Sequence, residues 1–148
     1  MFVFSLLSAL LIFADLLAKR LAVYYLASGG EFVLIPGALR LLYLENTGAA
    51  FGLLPDMRWL LLLVAAVVLL VVFWYIWTER CNSRWQYYGF IFIFAGALGN
   101  FLNRLFLGYV VDFINFAYFP VFNLADVFIN IGTVLLIIYL FRQSGKKV

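Results

Sequence analysis

Two carboxylates in the second half of this chain occupy settings that acids rarely take. Asp112 lies in Val110-Val111-Asp112-Phe113-Ile114, flanked by apolar residues and with no adjacent cation. Asp126 lies in Asn123-Leu124-Ala125-Asp126, at the start of a long apolar run. Two close carboxyl groups in poorly solvated surroundings resist double ionisation and share a proton. One then serves as a base on water, and the other protonates a carbonyl or a leaving amine. That chemistry hydrolyses a peptide bond without a metal or a covalent intermediate. Asn100, Asn103, Arg104 and Asn123 are the nearby polar side chains that could orient a backbone or steady the pair.

Composition removes most competing chemistry. The chain has no histidine and a single cysteine, Cys81. Histidine-dependent zinc proteases, Ser-His pairs and Cys-His pairs are therefore excluded, as is an intrachain disulfide. No metal and no cofactor is expected. A Ser/Lys pair drawn from Ser5 or Ser8 with Lys19 lacks supporting spacing, and the Gly-x-Gly-Asp signature of presenilin-like proteases is absent.

The elements that must hold these residues are membrane helices. Of the 148 residues, 68% are hydrophobic and 11% charged. Soluble domains carry roughly 25% charge, so lipid is the natural solvent here. Four apolar stretches, about 3–27, 59–77, 87–107 and 122–141, are predicted to span. A helix of about 19 residues is about 28 Å long, close to the hydrocarbon thickness. The first stretch has no basic leader and reads as a retained span. The reading is an all-α membrane protein with four transmembrane helices in one domain over 1–148. The outer segments are 28–58 and 108–121. Segment 28–58 is too long for a plain turn. It is Leu- and Tyr-rich from Leu39 to Glu45, with a turn at Asn46-Thr47-Gly48, and predicts a small extracytoplasmic platform containing β-strand.

Basic residues set the orientation. Arg80 and Arg84 lie in 78–86, and Arg142, Lys146 and Lys147 in the tail, whereas 108–121 has none. Both termini are therefore expected in the cytoplasm, with 28–58 and 108–121 outside. The net charge of +3 is used up in this way and gives no reason to expect nucleic acid. The tail from Gln143 to Val148 is expected to be mobile.

Polar residues inside spans cost about 2.5–3.5 kcal/mol each when ionisable, so each needs a partner or a purpose. Asp15 and Lys19 are spaced i,i+4 with the acid first, the favourable order for a self-neutralising pair. Gly96, Asn100, Asn103 and Arg104 share one face of the third helix, where Gly96 and Gly99 allow close approach. Asn123, Asp126, Asn130 and Thr133 draw a polar stripe on the fourth. The topology brings Asn100, Asn103, Arg104, Asp112, Asn123 and Asp126 to one outer level.

The runs Asn46-Thr47-Gly48-Ala49-Ala50-Phe51-Gly52, Gly96 to Arg104, Val110 to Ile114 and Phe122 to Asp126, with Asp15 and Lys19, closely resemble bacterial lipoprotein signal peptidase, the type II signal peptidase. The resemblance implies an aspartic endopeptidase of the bacterial plasma membrane, its site towards the outer face. It implies cleavage of diacylglyceryl-modified prolipoproteins before the lipidated cysteine, and inhibition by globomycin-type peptides. It assigns Asp112 and Asp126 as the catalytic pair. Asn46, Gly48, Asn100, Arg104, Asn123 and Ala125 fall at motif positions expected to line or support the site. One departure is Asn103, where the family's motif is expected to have Asp, so Arg104 would lose an ionic partner. Gly48, Ala49, Ala50 and Gly52 would let the loop backbone approach closely, and Phe51 would pack on substrate or anchor in lipid. The enzyme is expected to act as a monomer among membrane lipid.

Two other functions fit the acids. A proton-coupled transporter or channel could use Asp15, Asp112 and Asp126 as relays, but it needs a polar route through the whole bilayer. The second span and the inner half of the third are almost wholly apolar, which favours a one-sided site. A non-catalytic assembly subunit would tolerate Asp112→Asn and Asp126→Asn.

Overall fold

The computed structural model describes residues 1–49, 53–78 and 80–144. The expectations for Ala50, Phe51, Gly52, Lys146 and Lys147 fall outside the described residues. Four helices are long and apolar enough to cross a membrane: α1 Phe2–Leu26, α2 Arg58–Trp77, α3 Arg84–Phe106 and α4 Leu124–Ser144. Three strands, β1 Phe32–Ile35, β2 Leu39–Asn46 and β3 Val110–Phe116, form an antiparallel sheet in the order β1-β2-β3.

The helix ends differ from the sequence reading for local reasons. α3 begins at Arg84, earlier than expected, because the Ser83 hydroxyl accepts from the Trp85 N–H at 3.3 Å as an N-cap. α4 begins at Leu124, later than expected, because Phe122 is still paired to Ile114 of the sheet. Gln143 and Ser144, read as the start of a mobile tail, continue α4. Segment 108–121 contributes a strand of its own, β3, beyond the platform expected from 28–58. In β3, Val110, Val111, Asp112 and Phe113 are all buried, so the alternation that marks a half-exposed strand is missing.

Helices α3 and α4 form the tightest pair, antiparallel along a seam of small residues. A Cβ on Gly96 would strike the Ala125 carbonyl, and one on Gly132 would come within 2.6 Å of the Gly89 carbonyl. Only glycine permits this approach. At the end away from the sheet, Phe4, Val72, Ile76 and Ile91 form an apolar core joining α1, α2 and α3. At the sheet end, Ala22 and Leu26 of α1 pack on Val111 and Phe113 of β3. The sheet is thereby held against the helix ends.

The turn from α3 into β3 is made by Gly108 at φ +91, a conformation that L side chains rarely adopt. The N–H groups of Leu107 and Gly108 return to the carbonyls of Asn103 and Arg104 at 2.8 and 3.2 Å. Arg58 Nη2 adds a bond to the Leu105 carbonyl at 2.8 Å. These contacts turn the chain so that Asp112 comes back over the end of α3.

Candidate active site

Asp112 is almost fully buried on β3, and both of its oxygens are engaged. Asn123 Nδ2 donates to Oδ1 at 2.6 Å, and Asn46 Nδ2 donates to Oδ2 at 2.9 Å. The β2–β3 pairing explains the second bond. Leu44 lies opposite Asp112 after an irregularity between Leu41 and Leu44, which brings Asn46 to a diagonal position at the strand end. Asn46 Oδ1 in turn accepts from the Gly48 N–H at 2.9 Å, the expected turn closed by its own side chain.

Asp126 stands in the first turn of α4 and forms a reciprocal cap with Asn123. The Asp126 N–H donates to Asn123 Oδ1 and the Asn123 N–H to Asp126 Oδ2, each at 3.1 Å. Asn100 of α3 donates to Asp126 Oδ1 at 2.8 Å. The amide of Asn123 thus connects the acids: its NH2 reaches Asp112 and, at 3.2 Å, Asn100 Oδ1. Burial pushes the Asp112 carboxyl up to about 6, and the negative charge of Asp126 pushes the same way. The bonds from Asn46 and Asn123 and the charge of Lys19 oppose this without cancelling it.

Beneath the acids lies the Asp15–Lys19 pair, 2.8 Å apart with both side chains buried. It does more than neutralise itself. Lys19 Nζ donates to Asn100 Oδ1 at 2.8 Å, and Asp15 Oδ1 accepts the Ala125 N–H at 2.9 Å. The pair therefore ties α1 to α3 and to the start of α4. Gly99 is obligatory here, because a Cβ would strike Asp15 Oδ2. Ala125 contributes a backbone N–H and a fully buried methyl group.

The expected convergence holds with three corrections. Asn103 touches neither acid: its Oδ1 accepts the Val111 N–H at 3.1 Å and pins the start of β3 to α3. Arg104 instead reaches the Gly48 carbonyl at 2.8 Å, holding the loop after β2. The stripe on α4 ends early, since Asn130 and Thr133 are exposed and the Thr133 hydroxyl bonds back to the Ile129 carbonyl at 2.8 Å. The reciprocal Asn123–Asp126 cap is a further feature of the site, and its signature in the sequence is an Asn three residues before an acid at the head of an apolar run. A cavity of about 360 Å3 is bordered by Asn46, Gly48, Pro55, Pro120 and Val121; neither acid lines it, and Asn46 is its link to Asp112.

Among the described residues, the buried polar side chains other than Ser8 and Gln86 gather at the sheet end. A continuous polar route along the helices is not formed by them. Among the described residues there is also no cluster of three or more potential metal ligands.

Fold and site define a multi-pass membrane protein with a one-sided cluster of buried acids. Two solved structures titled as bacterial membrane enzymes have the same fold. One has a TM-score of 0.89 at 29% identity, covering 100% of this chain and 93% of that one. The other has a TM-score of 0.84 at 30% identity, covering 95% and 93%. Residues 7–142 match the family model for signal peptidase (SPase) II. The chain is 41% identical to the lipoprotein signal peptidase of Clostridium novyi, over 90% of this chain and 93% of that protein. It is 37% identical to that of Streptococcus pyogenes serotype M5, over 97% and 95%. The chain belongs to the signal peptidase II family.

Proposed function

We propose that this protein is an aspartic endopeptidase that removes the signal peptide from diacylglyceryl-modified prolipoproteins, cutting before the lipidated cysteine. Asp112 and Asp126 are its catalytic residues. The observation that carries this reading is the bridging of the two carboxyl groups, from β3 and α4, by the single residue Asn123, whose side-chain NH2 donates to Asp112 and whose backbone N–H donates to Asp126. A carboxyl group held near 6 beside a second acid is suited to retain the shared proton. One acid draws a proton from water as it attacks the scissile carbonyl. The other protonates the carbonyl oxygen; the first acid then passes the proton it took from water to the leaving amine, while the second regains its proton from a hydroxyl of the tetrahedral intermediate as the C–N bond breaks. Asn46, Asn100 and Asn123 hold the carboxyl groups, and Lys19 with Asp15 fixes Asn100 from below. Arg104 steadies the loop at Gly48, which borders the cavity where the substrate backbone would enter.

In this reading the sheet end faces outward from a bacterial plasma membrane and both termini are cytoplasmic. The enzyme works as a monomer in lipid and is blocked by globomycin-type cyclic peptides. The test uses purified protein in detergent with a prolipoprotein peptide bearing a diacylglyceryl cysteine. Cleavage is expected immediately before that cysteine, unaffected by chelators and suppressed by globomycin. Loss of activity on chelation, or equal cleavage of the unlipidated peptide, would contradict the proposal.

A further inference from the structure

At the end of the helices away from the acids, two cavities meet at a shared wall of Arg84 and Trp85. The first, of about 610 Å3, lies between the start of α3 and the end of α4 and is lined by Asn82, Ser83, Arg84, Arg142 and Gln143 among others. The second, of about 450 Å3, shares Arg84 and Trp85 with the first. It continues along the α3–α4 groove over Tyr88, Phe92, Ile131 and Leu135. A basic, polar chamber thus adjoins an apolar trough along the α3–α4 pair, the two meeting at Arg84 and Trp85.

Among the described residues, the charge at the junction is positive and has no acidic partner. Arg142 lies over the ring of Trp85, 5.0 Å from its centroid, which fixes the guanidinium where the cavities meet. Among the described residues neither Arg84 nor Arg142 forms a salt bridge, and no acidic side chain lines either cavity. A soluble anion would match the arginines and leave the trough unused. An apolar segment would match the trough and leave the charge uncompensated. A phosphodiester carrying acyl chains uses both, because guanidinium groups bind phosphate oxygens well and basic pockets between membrane helices suit anionic headgroups. We propose that the adjoining cavities bind an anionic phospholipid, with its phosphate on Arg84 and Arg142 and an acyl chain laid over Phe92, Ile131 and Leu135. This site is separate from the acids and does not rest on the peptidase reading.

The full chain purified in detergent is incubated with phosphatidylglycerol or phosphatidylcholine, and retained lipid is counted by native mass spectrometry. Phosphatidylglycerol is expected to be retained in preference. Arg84→Gln and Arg142→Gln should each weaken retention about fivefold, and Leu135→Trp, which fills the trough, should weaken it as well. Both arginines are exposed, so these variants should fold, and thermal unfolding checks that they do. Arg80→Gln is the control: Arg80 sits at the same end, stacked on Trp74 at 4.5 Å and outside both cavities. It should leave retention unchanged, and inorganic phosphate should fail to displace the lipid. Equal retention of the two lipids would overturn the proposal. So would indifference to the Arg84 and Arg142 variants, an equal loss in Arg80→Gln, or displacement by phosphate.

Discussion

Helices α2 and α3 lie side by side and are built on opposite terms. The most apolar window of α2 has a mean hydropathy of 2.9 and is 17% buried, whereas that of α3 has 1.4 and is 44% buried. In water the more hydrophobic helix would be the inner one. In lipid the order reverses, because apolar side chains gain nothing by leaving hydrocarbon and polar ones gain much by finding each other. Leu63 and Leu70 of α2 are 62% and 68% exposed, while Asn100 and Asn103 of α3 are buried. The helix with the weakest membrane signal therefore organises the site, and the one with the strongest signal contributes surface.

The largest effect expected from that contrast is at the buried ion pair that α3 and α4 share with α1. Lys19→Met leaves the buried Asp15 carboxyl without its ionic partner and removes the donor to Asn100 Oδ1. A loss of about 3–5 kcal/mol is expected, measured by thermal unfolding in detergent. If stability were unchanged, the pair would not be the brace described here.

Next in size is the pH dependence of stability. The Asp112 carboxyl is raised from 3.8 to about 6 in the folded protein, so its contribution is full below about pH 4 and is lost as pH rises through about 6. The gap corresponds to roughly 3 kcal/mol at most. Unfolding temperature should fall between about pH 4 and pH 7 and level off above that, and Asp112→Asn should flatten that slope. A slope of the opposite sign would mean that Asp112 is stabilised as the anion.

A smaller change separates the seam from the lipid face. Gly96→Ala drives a methyl group into the Ala125 carbonyl and should cost about 1–3 kcal/mol. Leu70→Ala on α2 should stay within about 0.5 kcal/mol by the same melting assay. Equal costs would erase the distinction between the two helices.

The smallest effect is expected at Asn103. Only its side-chain oxygen is used, by the Val111 N–H, and a carboxylate supplies that oxygen equally well. Asn103→Asp should change peptide cleavage by less than about threefold. A large gain in activity would instead mean that Arg104 needs the acid, contrary to its bond to Gly48.

Much of this was legible in the sequence because lipid makes polar residues conspicuous. Asp15, Lys19, Asn100, Asp112 and Asp126 stand out against apolar neighbours, and the spans follow from length and hydropathy. The resemblance of the four runs to a known family supplied Asn46, Gly48 and Ala125, whose roles depend on a turn and on backbone N–H groups that composition does not report. β3 escaped because a strand buried on both faces shows no alternation. The stripe on α4 was drawn too far because helical spacing alone cannot tell a residue facing a partner from one that bonds back to its own helix, as Thr133 does.

The central claim is that two acids joined through Asn123 perform the cleavage, and the most direct measurement is the rate constant of Asp112→Asn and of Asp126→Asn on a diacylglyceryl prolipoprotein peptide. Each variant should retain cooperative unfolding and lose at least about a thousandfold in rate, because neither acid can do the other's proton transfer. A folded variant that cleaves at the wild-type rate would remove that aspartate from the reaction and contradict the account.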